Sequence, residues 1–211
     1  VNVEHHRTNV LRAFVAVELP EDLLQALAAV QTELGRRGLR ARWTPPQNLH
    51  LTLRFLGDIS ADRVPIVAAA LSAAAAENET FALAAEGLGV FPGIRRPRVL
   101  WAGLTEATAA LVRLQRGLAD RLEAAGFPRE ARDFHGHLTL GRFSQAPTGG
   151  VGDVVSAYAS QRFGGFEVRE VVLFQSDLRP RGAVYTTLAR SALRGFLPTP
   201  PQSEPTSQGA A

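Results

Sequence analysis

An α+β fold made of two sheet-and-helix lobes is what this sequence predicts, on three observations. The tetrapeptide His50-Leu51-Thr52-Leu53 recurs as His137-Leu138-Thr139-Leu140, 87 positions further along. Strand-like and helix-like patterns are interleaved throughout, and the hairpins they imply argue against a purely parallel sheet. Finally, 211 residues, 45% hydrophobic and 20% charged, suffice for one domain with a sizeable core.

Taken in order, residues 1–9 read as a disordered leader that carries His5 and His6, and 10–196 as a single domain. Leu11–Leu19 alternates as a strand. Pro20 and Glu21 suit a helix start, Leu23, Leu27, Val30 and Leu34 follow at helical spacing, and Gly38 closes the helix. After the first motif strand, Gly57-Asp58 reads as a turn and Ser60 as the N-cap of a helix carrying Val64, Val67 and Leu71. Phe81–Phe91 and Arg98–Leu104 read as strands joined by the loop 92–97. A third helix presents Leu111, Leu114, Leu118 and Leu122 on one stripe and ends near Gly126. The second motif strand, a loop around Gly149 and Gly150, and a short helix near Val154–Tyr158 come next. Two closing strands, Phe166–Ser176 and Ala183–Ser191, flank the turn at 178–182. The Pro-, Ser-, Thr-, Gln- and Gly-rich tail, 197–211, buries too little apolar surface to repay its ordering entropy and reads as disordered.

Period-two alternation places Leu49, Leu51, Leu53 and Phe55 toward a core, with His50, Thr52 and Arg54 on the opposite face. In the second copy His135, His137 and Thr139 share one face, with Leu138 and Leu140 on the other. Each strand thus offers an imidazole and a hydroxyl to one space.

Composition excludes several chemistries. With no cysteine there is no disulfide, thiolate zinc site or cysteine nucleophile. Lysine is also absent, so all 23 basic residues are arginine and no lysyl-nucleotide adduct can form. Arginine's planar fork suits phosphate, although GC-rich codon usage explains the missing lysine more simply. A formal charge of +3 is too small for a large duplex-binding surface. No apolar run approaches the roughly 20 residues of a membrane helix, so a cytoplasmic protein that makes no membrane contact is expected.

Two facing imidazoles suit a reaction in which one proton is removed and another delivered, because histidine titrates near neutrality. Phosphodiester cleavage has that demand, and Thr52 and Thr139 would direct hydroxyls at oxygens gaining charge. The paired His-x-Thr-x motifs, the context 46–57 and the run His137-Leu138-Thr139-Leu140-Gly141-Arg142 resemble the 2H phosphoesterase superfamily. Within it, the sequence is most similar to the bacterial and archaeal RNA 2′,3′-cyclic phosphodiesterases, also named 2′-5′ RNA ligases, from about Leu11 to Ala192. The resemblance implies a bilobal pseudo-twofold arrangement of two antiparallel-type sheets with outer helices and a central cleft. It further implies His50 as proton donor, His137 as proton acceptor, a 2′-phosphate product, an RNA end as partner and no cofactor. Any ligation would be ATP-independent reversal of the ester exchange. The protein is expected to be a monomer.

Arg54 and Arg142 follow the motif threonines and are candidate phosphate contacts, Arg142 only if the strand bends at Gly141. Arg42, Trp43 and Phe91 are candidates for a wall against a terminal nucleotide, with core packing the competing reading for the two aromatics. His135-Gly136-His137 admits a metal reading with Asp133 as the only nearby acid, so no metal is expected. Two rival functions stay open: a non-catalytic RNA-end-binding module, and a metal-dependent hydrolase using His50, His135 and His137.

Overall fold

The computed structural model describes residues 10–145, 150–180 and 182–196. The leader (1–9) and tail (197–211) lie outside the described residues, as does Gly149. In chain order the elements are β1 (Val10–Glu18), α1 (Glu21–Arg36), β2 (Arg42–Trp43), β3 (His50–Ser60), α2 (Val64–Ala76), β4 (Phe81–Phe91), β5 (Val99–Glu106), α3 (Thr108–Ala124), β6 (Leu138–Arg142), α4 (Val151–Ala157), β7 (Arg162–Val168), β8 (Glu170–Arg179) and β9 (Gly182–Ala192). The class is α+β, as the sequence predicts.

The strands form one curled sheet in the order β7-β4-β5-β6-β3-β1-β8-β9, with β2 alongside β6 and every pair antiparallel. The two lobes are therefore two halves of this sheet, β3-β1-β8-β9 and β6-β5-β4-β7. They meet at a single partner pair, Leu51 opposite Leu138. These are corresponding residues of the two tetrapeptides, so a local twofold axis passes through the pair. Carried one residue each way, the register sets His50 across from Thr139 and Thr52 across from His137.

One face of the sheet is covered by helices. The leucine stripes do what their spacing predicts: Leu23, Leu27 and Leu34 of α1 and Leu111, Leu114, Leu118 and Leu122 of α3 are all buried, each worth about 2 kcal/mol of transfer free energy. Gly38 and Gly126, at φ +88° and +83°, terminate the two helices in the left-handed conformation a glycine tolerates. The opposite face carries only a small apolar cluster, Phe14, Ala16, Val172 and Phe174 with Tyr185 against it. That face bears the motif imidazoles.

Two boundaries differ from expectation. The run Phe166–Ser176 is divided between two strands, β7 pairing with β4 and β8 with β1, so the chain passes from one half to the other at Arg169. The passage is short because the curled sheet brings its ends together, where Glu79 bridges Arg194 and the Arg194 amide donates to the Asn78 carbonyl. Gly57-Asp58 does not turn the chain. β3 runs through to Ser60, with Gly57 at φ +69° beside a bulge: Ala13 pairs with Gly57 while Phe14 pairs with Phe55, leaving Leu56 extra. Ser60 makes no side-chain cap, and a 3₁₀ turn over Ala61–Arg63 leads into α2.

Candidate active site

The same backbone irregularity follows the threonine of each motif. Ala16 pairs with Thr52 and Val15 with Arg54, so Leu53 is the extra residue of a bulge. Trp101 pairs with Thr139 and Leu100 with Gly141, so Leu140 is extra in the second copy. A bulge shifts face parity by one residue. Arg54 therefore turns away from the imidazoles, contrary to expectation: it is 3% exposed, donates from Nη2 to the Pro128 carbonyl and lies 3.7 Å from Glu130. Phe55, expected in the core, is instead 54% exposed on the cleft side. The matching bulge at Leu140 bends the second strand just before Gly141, and Arg142 faces the cleft as the expectation required.

Each bulged carbonyl has a glutamine partner from a helix. Gln31 of α1, buried at 6% exposure, donates from Nε2 to the carbonyls of Leu140 and Thr44, both at 2.8 Å. Gln115 of α3 approaches the Leu53 carbonyl at 3.5 Å. The pairing leaves a buried amide satisfied where an unpartnered one would cost about 1–3 kcal/mol.

The two histidines are held alike. His50 Nδ1 donates to the Asn48 carbonyl at 2.8 Å and His137 Nδ1 to the His135 carbonyl at 2.7 Å. A carbonyl only accepts, so each Nδ1 carries its hydrogen and Nε2 is left as the nitrogen that exchanges a proton. Asn48 is itself anchored, its Nδ2 donating to the Ala183 carbonyl at 2.8 Å. Aromatic rings enclose both imidazoles: Phe14 at 4.8 Å and Tyr185 edge-on at 5.4 Å around His50, Phe91 edge-on at 5.1 Å and Trp101 at 6.2 Å around His137. Gly89 has no side chain because the Trp101 indole lies across it, where a Cβ would come within 2.2 Å. Gly136 is packed against Leu111 in the same way, a Cβ there meeting its Cδ2 at 2.8 Å.

Burial pushes His50 down from 6.5 to about 4, with the Asn48 carbonyl opposing the shift and the charge of the neighbouring His137 adding to it. Burial lowers His137 as well, opposed by the His135 carbonyl and reinforced by the charges of His135 and Arg142. Both imidazoles are thus neutral near pH 7 on the protein's own groups, where the sequence reading has both forms coexisting near neutrality.

A cleft of about 930 Å³ opens over this face, and His50, Thr52, Thr139, Arg42, Trp43 and Arg142 line it together. Arg42 stands opposite Arg142 in the β2–β6 ladder, so the two guanidiniums are neighbours. Phe91 packs on His135, His137 and Trp101 and is not part of the cleft wall. His135 is exposed, its ring 6.5 Å from that of His137. Among the described residues no three His, Asp or Glu side chains are grouped as metal ligands, so His50, His135 and His137 do not converge on one ion. Sequence reasoning missed Phe14, Tyr185, Gln31 and Gln115. The alternation of β1 could have placed Phe14 on the imidazole face, whereas nothing local marks the glutamines.

Imidazoles duplicated about a twofold axis, each with a hydroxyl across the ladder, define a class, the two-histidine phosphoesterases. Comparison with known proteins gives the family. The family described as "LigT like Phosphoesterase" matches residues 17–101 and 103–185, one tetrapeptide in each stretch. An RNA 2′,3′-cyclic phosphodiesterase of Archaeoglobus fulgidus is 36% identical over 179 residues, covering 84% of this chain and 98% of the relative. Among solved structures, TT0787 of Thermus thermophilus superposes with a TM-score of 0.73 at 32% identity, covering 88% of this chain and 99% of that one. Escherichia coli LigT complexed with ATP does so at 0.67 and 26%, with 88% and 99% covered. The chain belongs to the LigT-like phosphoesterase family, within the 2H phosphoesterases. No described helix is long and apolar enough to cross a membrane.

Proposed function

We propose that the protein hydrolyses RNA 2′,3′-cyclic phosphate ends to 2′-phosphomonoesters, with His50 as proton donor and His137 as proton acceptor. The observation that carries this reading is the matched lock on the two imidazoles: each has its Nδ1 committed to the carbonyl two residues before it, and each lies across the ladder from a motif threonine. His137 Nε2 takes the proton of the attacking water. His50 Nε2, protonated, gives its proton to O3′ as the bond to phosphorus breaks. Thr52 and Thr139 donate to the non-bridging oxygens as their charge grows, and Arg42 and Arg142 hold the phosphate between them. An anionic phosphodiester beside His50 raises its pKa against the effect of burial, so the acid form is made with the bound substrate. With a 5′-hydroxyl attacking the cyclic phosphate in place of water, His137 taking its proton and His50 protonating O3′ as before, the same groups support ATP-independent 2′-5′ ligation. The name of the Archaeoglobus fulgidus relative supports the cyclic phosphate as substrate.

The depth to which burial lowers His50 favours a second reading, in which His50 is the base, His137 the acid and the bond to O2′ breaks. Hydrolysis of an oligonucleotide ending in a 2′,3′-cyclic phosphate, followed by a phosphatase specific for 3′-phosphates, separates the two. A resistant product is expected, and a sensitive one exchanges the roles. Turnover that is unchanged by chelator is expected, and its strict loss would overturn the metal-free mechanism. No hydrolysis at all would leave the RNA-end-binding module.

A further inference from the structure

We infer that Arg12 and Arg179 form a second phosphate station, which holds the single-stranded RNA upstream of the cyclic end and makes the protein selective for oligonucleotide ends over cyclic mononucleotides. The inference rests on the reading above for the position of the reacting phosphate. Among the described residues four arginines line the large cleft, Arg12, Arg42, Arg142 and Arg179, and no carboxylate does. Among the described residues none of the four makes an ion pair, whereas Arg54, Arg121, Arg129, Arg162 and Arg190 all do. A cyclic phosphodiester carries one negative charge, which the adjacent Arg42 and Arg142 already meet. Arg12 stands opposite Asp58 in the β1–β3 ladder but, like Arg179, makes no ion pair among the described residues, and additional phosphates of the same strand are a ligand whose charge and spacing fit these two guanidiniums.

Placement supports the count. Arg12 is two residues from Phe14 on β1, roughly 7 Å along the strand, and the Phe14 ring stacks 4.8 Å from His50. Arg179 lies at the end of β8, paired with Gly182 at the tip of the β8–β9 hairpin. Tyr185 lines the same cleft as all four arginines. Exposed apolar side chains accompany the cations in the cleft wall, Phe55 at 54% and Leu178 at 71%. Cations interleaved with apolar surface are how a single strand is held: guanidiniums take the phosphates while the bases lie on the apolar groups. The cleft, about 930 Å³, lies at the upper end of the range for small-ligand sites.

The test compares Arg12→Gln, Arg179→Gln and the double variant with the wild type on two substrates, an octanucleotide and a mononucleotide, each ending in a 2′,3′-cyclic phosphate. The ratio of their kcat/KM values falls about tenfold for each arginine removed. Affinity for the same octanucleotide bearing a 2′-phosphate, measured by fluorescence anisotropy against salt, loses about 0.7 from its log–log slope per arginine. An unchanged ratio and slope, or equal losses on both substrates, would overturn the second station. So would a duplex that binds as tightly as the single strand. A wild type that hydrolyses neither substrate but still binds the octanucleotide, with the slope reduced in the variants, would sink the catalytic reading and leave the station standing.

Discussion

The two halves of the sheet use one plan around each histidine and then diverge four residues further on. In both, the carbonyl two residues upstream fixes the imidazole, a threonine follows on the same face, and a bulge at Leu53 or Leu140 comes next. Beyond the bulge the first half has Arg54 buried and Phe55 exposed, whereas the second has Gly141 buried and Arg142 exposed. On the proposed mechanism, proton transfer at the start and end of an in-line displacement needs two groups alike, which accounts for the symmetry of the imidazoles. The proposed substrate has one reacting phosphate at the end of a directional chain, so the groups that would hold it need not keep that symmetry.

The largest effect that sharpens this comparison is at the matched positions. His50→Ala and His137→Ala are each expected to lower hydrolysis by at least about 10² to 10⁴ with the fold intact, and the double variant to be little worse than either. Near-normal turnover in one folded single variant would break the equivalence of the halves. Next, Thr52→Val and Thr139→Val keep shape and strand preference and should each lower kcat by about 10² while changing stability little. Unequal losses would identify the half whose hydroxyl meets the greater charge in the transition state.

The diverged positions should respond in opposite ways. Arg142→Gln is expected to reduce kcat/KM by roughly tenfold without shifting the melting temperature. Arg54→Gln removes the donor to Pro128 and the partner of Glu130, so it should cost about 1–3 kcal/mol of stability while the folded fraction keeps its activity. If instead Arg54→Gln spares stability and impairs turnover, the bulge assignment at Leu53 is wrong.

A smaller effect concerns pH and stability alone. His50 is neutral in the folded chain down to about pH 4, whereas an unfolded histidine takes up its proton near 6.5. The unfolded state therefore binds more protons between those values, so His50's contribution is present above pH 6.5 and is lost as pH falls toward 4. Urea unfolding at pH 7 and pH 4.5 should show a narrower gap in His50→Asn than in the wild type.

Much of this site is legible in the sequence, since a duplicated tetrapeptide with period-two flanks is enough to place both imidazoles and both hydroxyls. Arg54 and Phe55 were not, because counting by twos from His50 assumes an unbroken ladder, and a bulge inserts one residue without requiring an unusual one. Gly57 misleads for a related reason. A glycine permits φ +69° in a turn and beside a bulge alike, and only the partner strand decides which. The division at Arg169 is hidden because neither glycine nor proline marks it; Val168 and Glu170 simply pair with different neighbours. Phe14 and Tyr185 come to His50 from strands far from it in the chain, a proximity set by the curl of the sheet.

The helices are exchanged between the halves. α1 leaves β1 in the first half, packs on β7 in the second and sends Gln31 to the Leu140 carbonyl. α3 leaves β5 in the second half, packs against β3 and sends Gln115 to the Leu53 carbonyl. The internal repeat is consequently not a pair of autonomous folding units: either half on its own would lose one of the helices that pack on it, and its bulged carbonyl would lose a partner. Severing the chain in the loop 92–98 separates β4 from its ladder partner β5, so the two fragments are expected to need each other to fold.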